Sequence, residues 1–259
     1  MSELGNVSVL GQRVDVTSYD DAVDRIIGWS RNGERRYVCV SNVHMVMEGH
    51  DDVRFRELVN GADLITPDGM PLVWAMRIAG SKDATRVRGF RLMPLLLAAA
   101  EREHISVGFF GSKEDVLTDL VNASKAKYPT LDVAYHLSPP FRPLTKEEDD
   151  ALVDSMNASG ARLIFVGLGC PKQETWMAEH SHRVRAVLVG TGGAFDFLAG
   201  DFKEAPVWMQ NTGLEWVFRF AAEPRRLWRR YLRHNPRFVA LLARQQLRRL
   251  VRGERVAVR

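Results

Sequence analysis

Residues 161–176, "ARLIFVGLGCPKQETW", decide how this chain folds. The run "LIFVG" is apolar throughout instead of alternating, which is the pattern of a strand covered on both faces. Two glycines and a proline punctuate it, and a helical pattern follows at once. A strand that passes through a glycine-rich loop into a helix is the repeating unit of a parallel α/β sheet.

The unit recurs along the chain. Apolar or β-branched runs lie at "YVCVSN" (37–42), "DLITPDG" (63–69), "ISVGFFGS" (105–112), "LDVAYHL" (131–137), 161–169 and "RAVLVGTGG" (185–193). Helices are predicted near 19–30, 51–60, 90–103, 113–127, 145–159 and 173–182. Thr145 and Glu148 have capping-box spacing ahead of one of them, and Gly160 stands where a terminating glycine belongs. The expected fold is α/β and Rossmann-like, a mostly parallel sheet flanked by helices. With 259 residues the chain can bury one main core and carry a smaller extension.

Charge marks that extension. From Arg219 onward there are 13 arginines, no lysine and two acids, a net +11, so the preceding residues carry −7 of the overall +4. We expect a Rossmann-like core over 1–212 and a basic amphipathic helical appendage over 213–259, with an anionic partner for the appendage. The longest apolar run, "LMPLLLAAA" at 92–100, is about half the roughly 20 residues needed to span a bilayer, so membrane contact would be peripheral. The opening "MSELGNVSVLGQRVDV" lacks the basic and apolar regions of a signal peptide. Cys39 and Cys170 show no metal-ligand spacing and read as reduced thiols of a cytosolic protein.

In open parallel sheets ligands collect outside the carboxyl ends of the strands. Four of the predicted strands end in unusual chemistry: Ser41-Asn42, Pro67-Asp68-Gly69, Gly167 to Gln173, and Gly190 to Gly193, which includes Gly192 and Gly193. "GLGCPK" (167–172) is G-x-G-x-x-K, in which Gly167 and Gly169 let backbone N–H groups approach a phosphate while Lys172 and Gln173 add polar reach. The dinucleotide fingerprint fails, because its third glycine is missing and Pro171 interrupts the loop. The plain alternative is a tight turn. Asp68 is either a turn former or a general base whose pKa is raised by an apolar setting. Asn42 caps the next helix or holds a sugar hydroxyl. Arg86, in "TRVRG", makes a surface ion pair or clamps a diphosphate. No H-E-x-x-H or D-x-D pattern is present, so chemistry without a metal or cofactor is expected.

The tail reads as two amphipathic helices broken near Asn235-Pro236. Helical spacing puts Arg226, Arg230 and Arg233 opposite Trp228, Tyr231 and Leu232, and after the break sets Arg237, Arg244 and Arg248 against Phe238, Val239 and Leu242. Aromatic residues beside dense arginine suit a helix lying at an anionic bilayer surface, where each basic residue contributes about 1 kcal/mol. A helix packed on the body with a solvated basic face is the plain alternative. Nucleic acid is disfavoured, because the aromatics are not set among glycines on a sheet or in disordered repeats.

Taken in order, "LGQRVDVTSYDDAV", "SNVHMV", "ADLITPDGMPLVWAMRIAG", "RVRGF", "FFGSKEDV", "VGLGCPKQETWM" and "GTGGAFDFLAGDFKEAPVWMQNTGLEWVFRFAAEPRRLWRRY" resemble the WecG/TagA/CpsF family of bacterial glycosyltransferases across nearly the whole chain. The resemblance implies an inverting, metal-independent enzyme of cell-surface polysaccharide or teichoic acid synthesis. It would move N-acetylmannosamine, its uronic acid or a related sugar from a UDP donor to a polyprenyl-diphosphate-linked sugar. It further implies peripheral attachment to the inner face of the plasma membrane through the appendage. By position, Asp68 matches the family's proposed base; Ser41 (where threonine is common), Asn42 and Arg86 match pocket residues; Gln173 lies near a sugar. Arg219, Arg226 and either Arg229 or Arg230 fall where basic side chains of the appendage reach the active site. The residues by themselves leave a second class open, a nucleotide- or RNA-binding α/β protein gripping through its arginine tail. The tail's apolar face would also suit a homo-oligomer.

Overall fold

The computed structural model describes residues 4–200, 205–222 and 224–252. A hairpin of β1 (Asn6–Val9) and β2 (Gln12–Asp15) comes first, then α1 (Tyr19–Arg31), β3 (Arg36–Ser41), α2 (Val43–Asp51), α3 (Val53–Asn60) and β4 (Leu64–Pro67). Next are α4 (Met70–Ile78), α5 (Gly89–Arg102), β5 (Val107–Gly111), α6 (Glu114–Lys127), β6 (Val133–Leu137) and α7 (Lys146–Ala158). The remainder comprises β7 (Leu163–Gly167), α8 (Lys172–His180), β8 (Val187–Gly190), α9 (Gly192–Leu198), α10 (Val207–Asn211), α11 (Glu215–Ala222) and α12 (Pro224–Arg252).

The six strands expected from the sequence form one parallel sheet in the order β4-β3-β8-β7-β5-β6. The inner strands are short and apolar because helices cover both faces, whereas the edge strand β6 leaves His136 exposed. Val38, Val40, Phe165 and Val189 point into a core under α1, α5 and α9, whereas Cys39, Ile164, Val166 and Leu188 pack under α2, α3 and α8. The fold is thus α/β and Rossmann-like, as the strand pattern implies. The capping box forms in full at α7, with the Glu148 N–H donating to Thr145 Oγ1 at 3.2 Å and the Thr145 N–H donating to the Glu148 carboxylate at 2.9 Å. Gly160 follows with φ +76°.

The β1–β2 hairpin is not among the expected elements. Its two turn residues, Leu10 and Gly11, have φ of 51° and 92°, as a two-residue hairpin turn requires, but without the Asn-Gly or Asp-Gly signal. The hairpin braces the sheet edge: Asp15 accepts from the Ile65 N–H of β4 at 2.8 Å, and Gln12 donates to the Ser41 hydroxyl at 2.6 Å.

The expected break in the tail is absent. α12 runs from Pro224 to Arg252 with Pro236 inside it. Proline removes the N–H that would pair with the Leu232 carbonyl, and Leu232 lies exposed, where water can take that carbonyl. On the opposite side His234 and Phe238 are buried and hold the helix down. Phe238 joins Val7, Val14, Val46, Leu72 and Met76 in an apolar cluster. Around it, Arg237 makes a bidentate pair with Asp51 of α2 (2.7 and 2.9 Å) and holds that carboxyl below its ordinary range. Gln245 bonds the hairpin at Leu10 and Ser8.

Because Phe238 is sealed between α12 and the body, Phe238→Ala is expected to cost about 3–5 kcal/mol of stability, read by chemical denaturation. An unchanged unfolding midpoint would mean that α12 is not seated in solution.

Candidate active site

The four strands whose ends drew notice, β4, β3, β8 and β7, are neighbours in the sheet. Their exit loops therefore meet. β3 leads into α2 on one face and β8 into α9 on the other, and such a divergence opens a crevice at the carboxyl end of a parallel sheet. A cavity of about 470 Å³ occupies it. A smaller chamber of about 110 Å³ adjoins it beneath α11 and α12, and Asn42, His44, Asp68 and Arg219 line both.

Asp68 is held from three sides. Its N–H donates to the Ser41 carbonyl at 2.7 Å, its Oδ1 accepts from the Gly89 N–H at 3.2 Å, and Gly69 follows as the N-cap of α4, with a proline in that helix's first turn. Burial pushes the Asp68 carboxyl above the ordinary aspartate value of 3.8, and the like charge of Glu215 pushes it further; Arg219, the Gly89 N–H and Arg86 pull the other way. Glu215, from α11, pairs with both Arg86 and Arg88 at 3.3 Å. One turn along α11, Arg219 lies over the ring of Phe90, 4.6 Å from its centroid. The appendage thus places one acid and one base beside Asp68.

On the other wall, Gln173 joins two loops. Its Oε1 accepts from the Gly192 N–H at 3.1 Å, and its Nε2 donates to the buried Glu174 carboxylate at 2.8 Å. A Cβ at Gly190 would stand 2.6 Å from Gln173 Nε2, and one at Gly192 2.8 Å from its Oε1, so a side chain at either position would push Gln173 from its place. Gly169, at φ +77°, turns the chain into α8. Burial raises the pKa of Glu174, whose Oε2 is buried in the same wall.

The structure brings most of the expected residues together and separates a few. Asn42, Asp68, Gly167, Gly169, Gln173, Gly192, Gly193 and Arg219 line the larger cavity, and Arg86 lines the smaller chamber. Asn42 also caps α2, accepting from the Met45 N–H at 3.3 Å. Ser41 is fully buried with its hydroxyl engaged by Gln12. Lys172 is exposed and lines a third cavity of about 840 Å³, which shares Gly167 and Leu168 with the main one. Arg226, Arg229 and Arg230 belong to α12, but their side chains lie outside the described residues. Sequence reasoning missed Glu215, whose partners are more than a hundred positions away. It also missed the one group with metal-ligand geometry among the described residues, His44, Glu48 and His234. Only His44 and Glu48, one helical turn apart, carried a local signal.

A crevice at the switch of a parallel sheet, holding a carboxylate of raised pKa beside arginines and glycine backbone, is a setting in which a ligand can bind and a proton can be moved. Residues 7–252 match the glycosyl transferase WecG/TagA/CpsF family. The chain belongs to that family and is a glycosyltransferase. Similar proteins include N-acetylglucosaminyldiphosphoundecaprenol N-acetyl-beta-D-mannosaminyltransferases from three organisms. The Bacillus subtilis (strain 168) protein is 30% identical over 75% of this chain and 74% of its own length. That of Bacillus spizizenii is 28% identical over 81% and 79%, and that of Staphylococcus aureus (strain NCTC 8325 / PS 47) 28% over 93% and 94%.

If Asp68 must be ionised to act, the acid limb of the rate profile lies above the ordinary aspartate range. Glu215→Gln removes a like charge and frees Arg86, which favours ionised Asp68. The limb is expected to move to lower pH, as read from kcat/KM against pH; a limb that stays or rises would assign it to another group.

Proposed function

We infer that this glycosyltransferase moves N-acetylmannosamine, its uronic acid or a related sugar from a UDP donor to a polyprenyl-diphosphate-linked sugar, with inversion and no metal in the chemical step. The activities for which the relatives are named support the sugar and the lipid-linked acceptor. The observation that carries the mechanism is Asp68 at the join of two chambers, its carboxyl raised in pKa.

On this reading the larger cavity takes the nucleotide sugar and the smaller chamber the acceptor's reacting end. Asp68 removes the proton from the acceptor hydroxyl as that oxygen attacks the anomeric carbon. The bond from that carbon to the diphosphate breaks, and the electron pair leaves with UDP. A single displacement needs one base. Charge growing on the diphosphate is met by Arg219 and by backbone N–H groups of the Leu168–Gly169 turn and of Gly193, the Gly192 N–H being held by Gln173. Arg86 acts in company with Glu215, which shares its charge.

The tail serves docking. No helix among the described residues is long and apolar enough to cross a membrane. Trp228, Leu232, Val239, Leu247 and Val251 are exposed on α12, as are Arg225, Arg244 and Arg248. Such a face suits the plane of an anionic bilayer, on the inner leaflet where the lipid-linked acceptor is made available. The same arginines would attract RNA, but apolar residues between them favour lipid.

Asp68→Asn is expected to lower transfer by about 10²–10⁴-fold with donor binding kept. It should also melt no lower than the wild type. A carboxyl with a raised folded-state pKa contributes stability only below the ordinary value and loses it as pH rises through the shifted one. The assay pairs a panel of UDP-sugars with polyprenyl-diphosphate N-acetylglucosamine in liposomes, and near-normal turnover would remove Asp68 as base. Activity lost in chelator and restored by magnesium or manganese would remove the metal-free step. Flotation with anionic vesicles should retain the full chain and release one ending at residue 218; equal flotation of both would refute tail docking.

A further inference from the structure

We propose that His44, Glu48 and His234 form a binding site for a zinc-class divalent metal ion that staples α12 to α2. His44 and Glu48 are one turn apart on α2 and share a face of that helix. His234 reaches them from α12, the two imidazole rings standing 5.2 Å apart and nearly edge to face. The potential ligand atoms all lie within 4.8 Å of one another.

The distances from the carboxylate suit an ion site. Glu48 Oε1 is 3.3 Å from His44 Nε2 and 3.6 Å from His234 Nε2. Both exceed the roughly 2.7–3.2 Å of a good N–H···O bond. Ligand bonds of about 2.0–2.1 Å in a tetrahedron put donor atoms about 3.3 Å apart, so both separations are close to a tetrahedral edge. Two imidazoles and one carboxylate form a donor set that holds zinc with a fourth position open, and imidazole selects against magnesium and calcium. Both histidines line the smaller chamber, so the open position faces it and an ion has a way in. His234 is almost wholly buried while Glu48 keeps about a third of its side chain exposed, the partition of a site reached from one side.

Position gives the site its role. α12 already meets α2 through Arg237 and Asp51, with Arg233 3.9 Å from the same carboxylate. The metal adds a bond network at the next turn, on the chamber side. It holds the cover over Asp68 closed and takes no part in transfer. Its occupancy is read without any substrate, so its failure is separate from failure of the transfer reaction.

The test uses the full chain, stripped with chelator and titrated with Co²⁺ and then Zn²⁺. One Co²⁺ per chain should bind with the visible ligand-field absorption of a tetrahedral site and be displaced by Zn²⁺. Zn²⁺ should raise the melting temperature and slow proteolytic removal of α12. His44→Ala and His234→Gln should each weaken binding by at least the roughly 10–100-fold that loss of an outer-shell partner costs. Glu48→Gln, which preserves shape, covers the case in which a histidine variant misfolds. Absence of saturable binding to the wild type overturns the proposal, as does undiminished binding by folded variants. Release of α12 that follows pH alone, indifferent to Zn²⁺, would also overturn it and mark the cluster as a protonation latch.

Discussion

The pairing of Glu215 with Arg86 and Arg88 is the contact on which the site depends. It draws α11 across the carboxyl end of the sheet and so sets Arg219 beside Asp68. Both pairs are largely shielded from water, where opposite charges attract more strongly but desolvation costs more, so neither partner is spared lightly. Without Glu215, Arg86 would face Asp68 unopposed and that carboxyl would lose part of the cause of its raised pKa. The same side chain thus positions the cover and tunes the group beneath it.

Charged groups crowd the crevice. Asp68, Glu174, Asp196 and Glu215 line it together with Arg86 and Arg219 among the described side chains, and burial raises the pKa of both Asp68 and Glu174. On the proposed reading an anionic donor would be met by those two arginines locally and not by a net positive field. The glycine turns complete the arrangement with dipoles instead of charges. Gln173 takes the Gly192 N–H and so fixes that turn against the β7–α8 loop; on the proposed reading the neighbouring N–H groups would then be preset for the charge that develops.

The sheet was legible because parallel strands buried on both faces leave continuous apolar runs, and six such runs alternate with helical patterns. The loops were legible because strand ends concentrate Asn42, Asp68 and the glycines. Features made by distant partners were not. Glu215 looks like an ordinary first-turn acid of α11 until the fold sets it against Arg86 and Arg88, and His234 lies 190 positions beyond His44. Local rules also misled where tertiary packing overrode them. Pro236 reads as a break, yet its lost bond falls on the exposed side of a helix anchored by Phe238. Ser41 and Lys172 flank residues of the cavity, but one side chain turns inward to Gln12 and the other outward into solvent.

α12 links the two ends of the proposed reaction through its sectors. One sector, Leu227, His234 and Phe238, is buried against the body, with Leu227 and His234 on the walls of the two cavities. Another, Trp228, Leu232 and Val239, is exposed and apolar. A helix about 10–12 Å across therefore separates the acceptor chamber from the face proposed to meet lipid. A sugar joined through a diphosphate to a membrane-held chain needs to travel little more than one helix width to bring its hydroxyl to Asp68. If α12 is the docking element as proposed, a cover made of that same helix would account for both the chamber's small size and its position. The reacting end would then enter beside the helix that holds the enzyme to the surface, and the contact that brings the acceptor in would also exclude water.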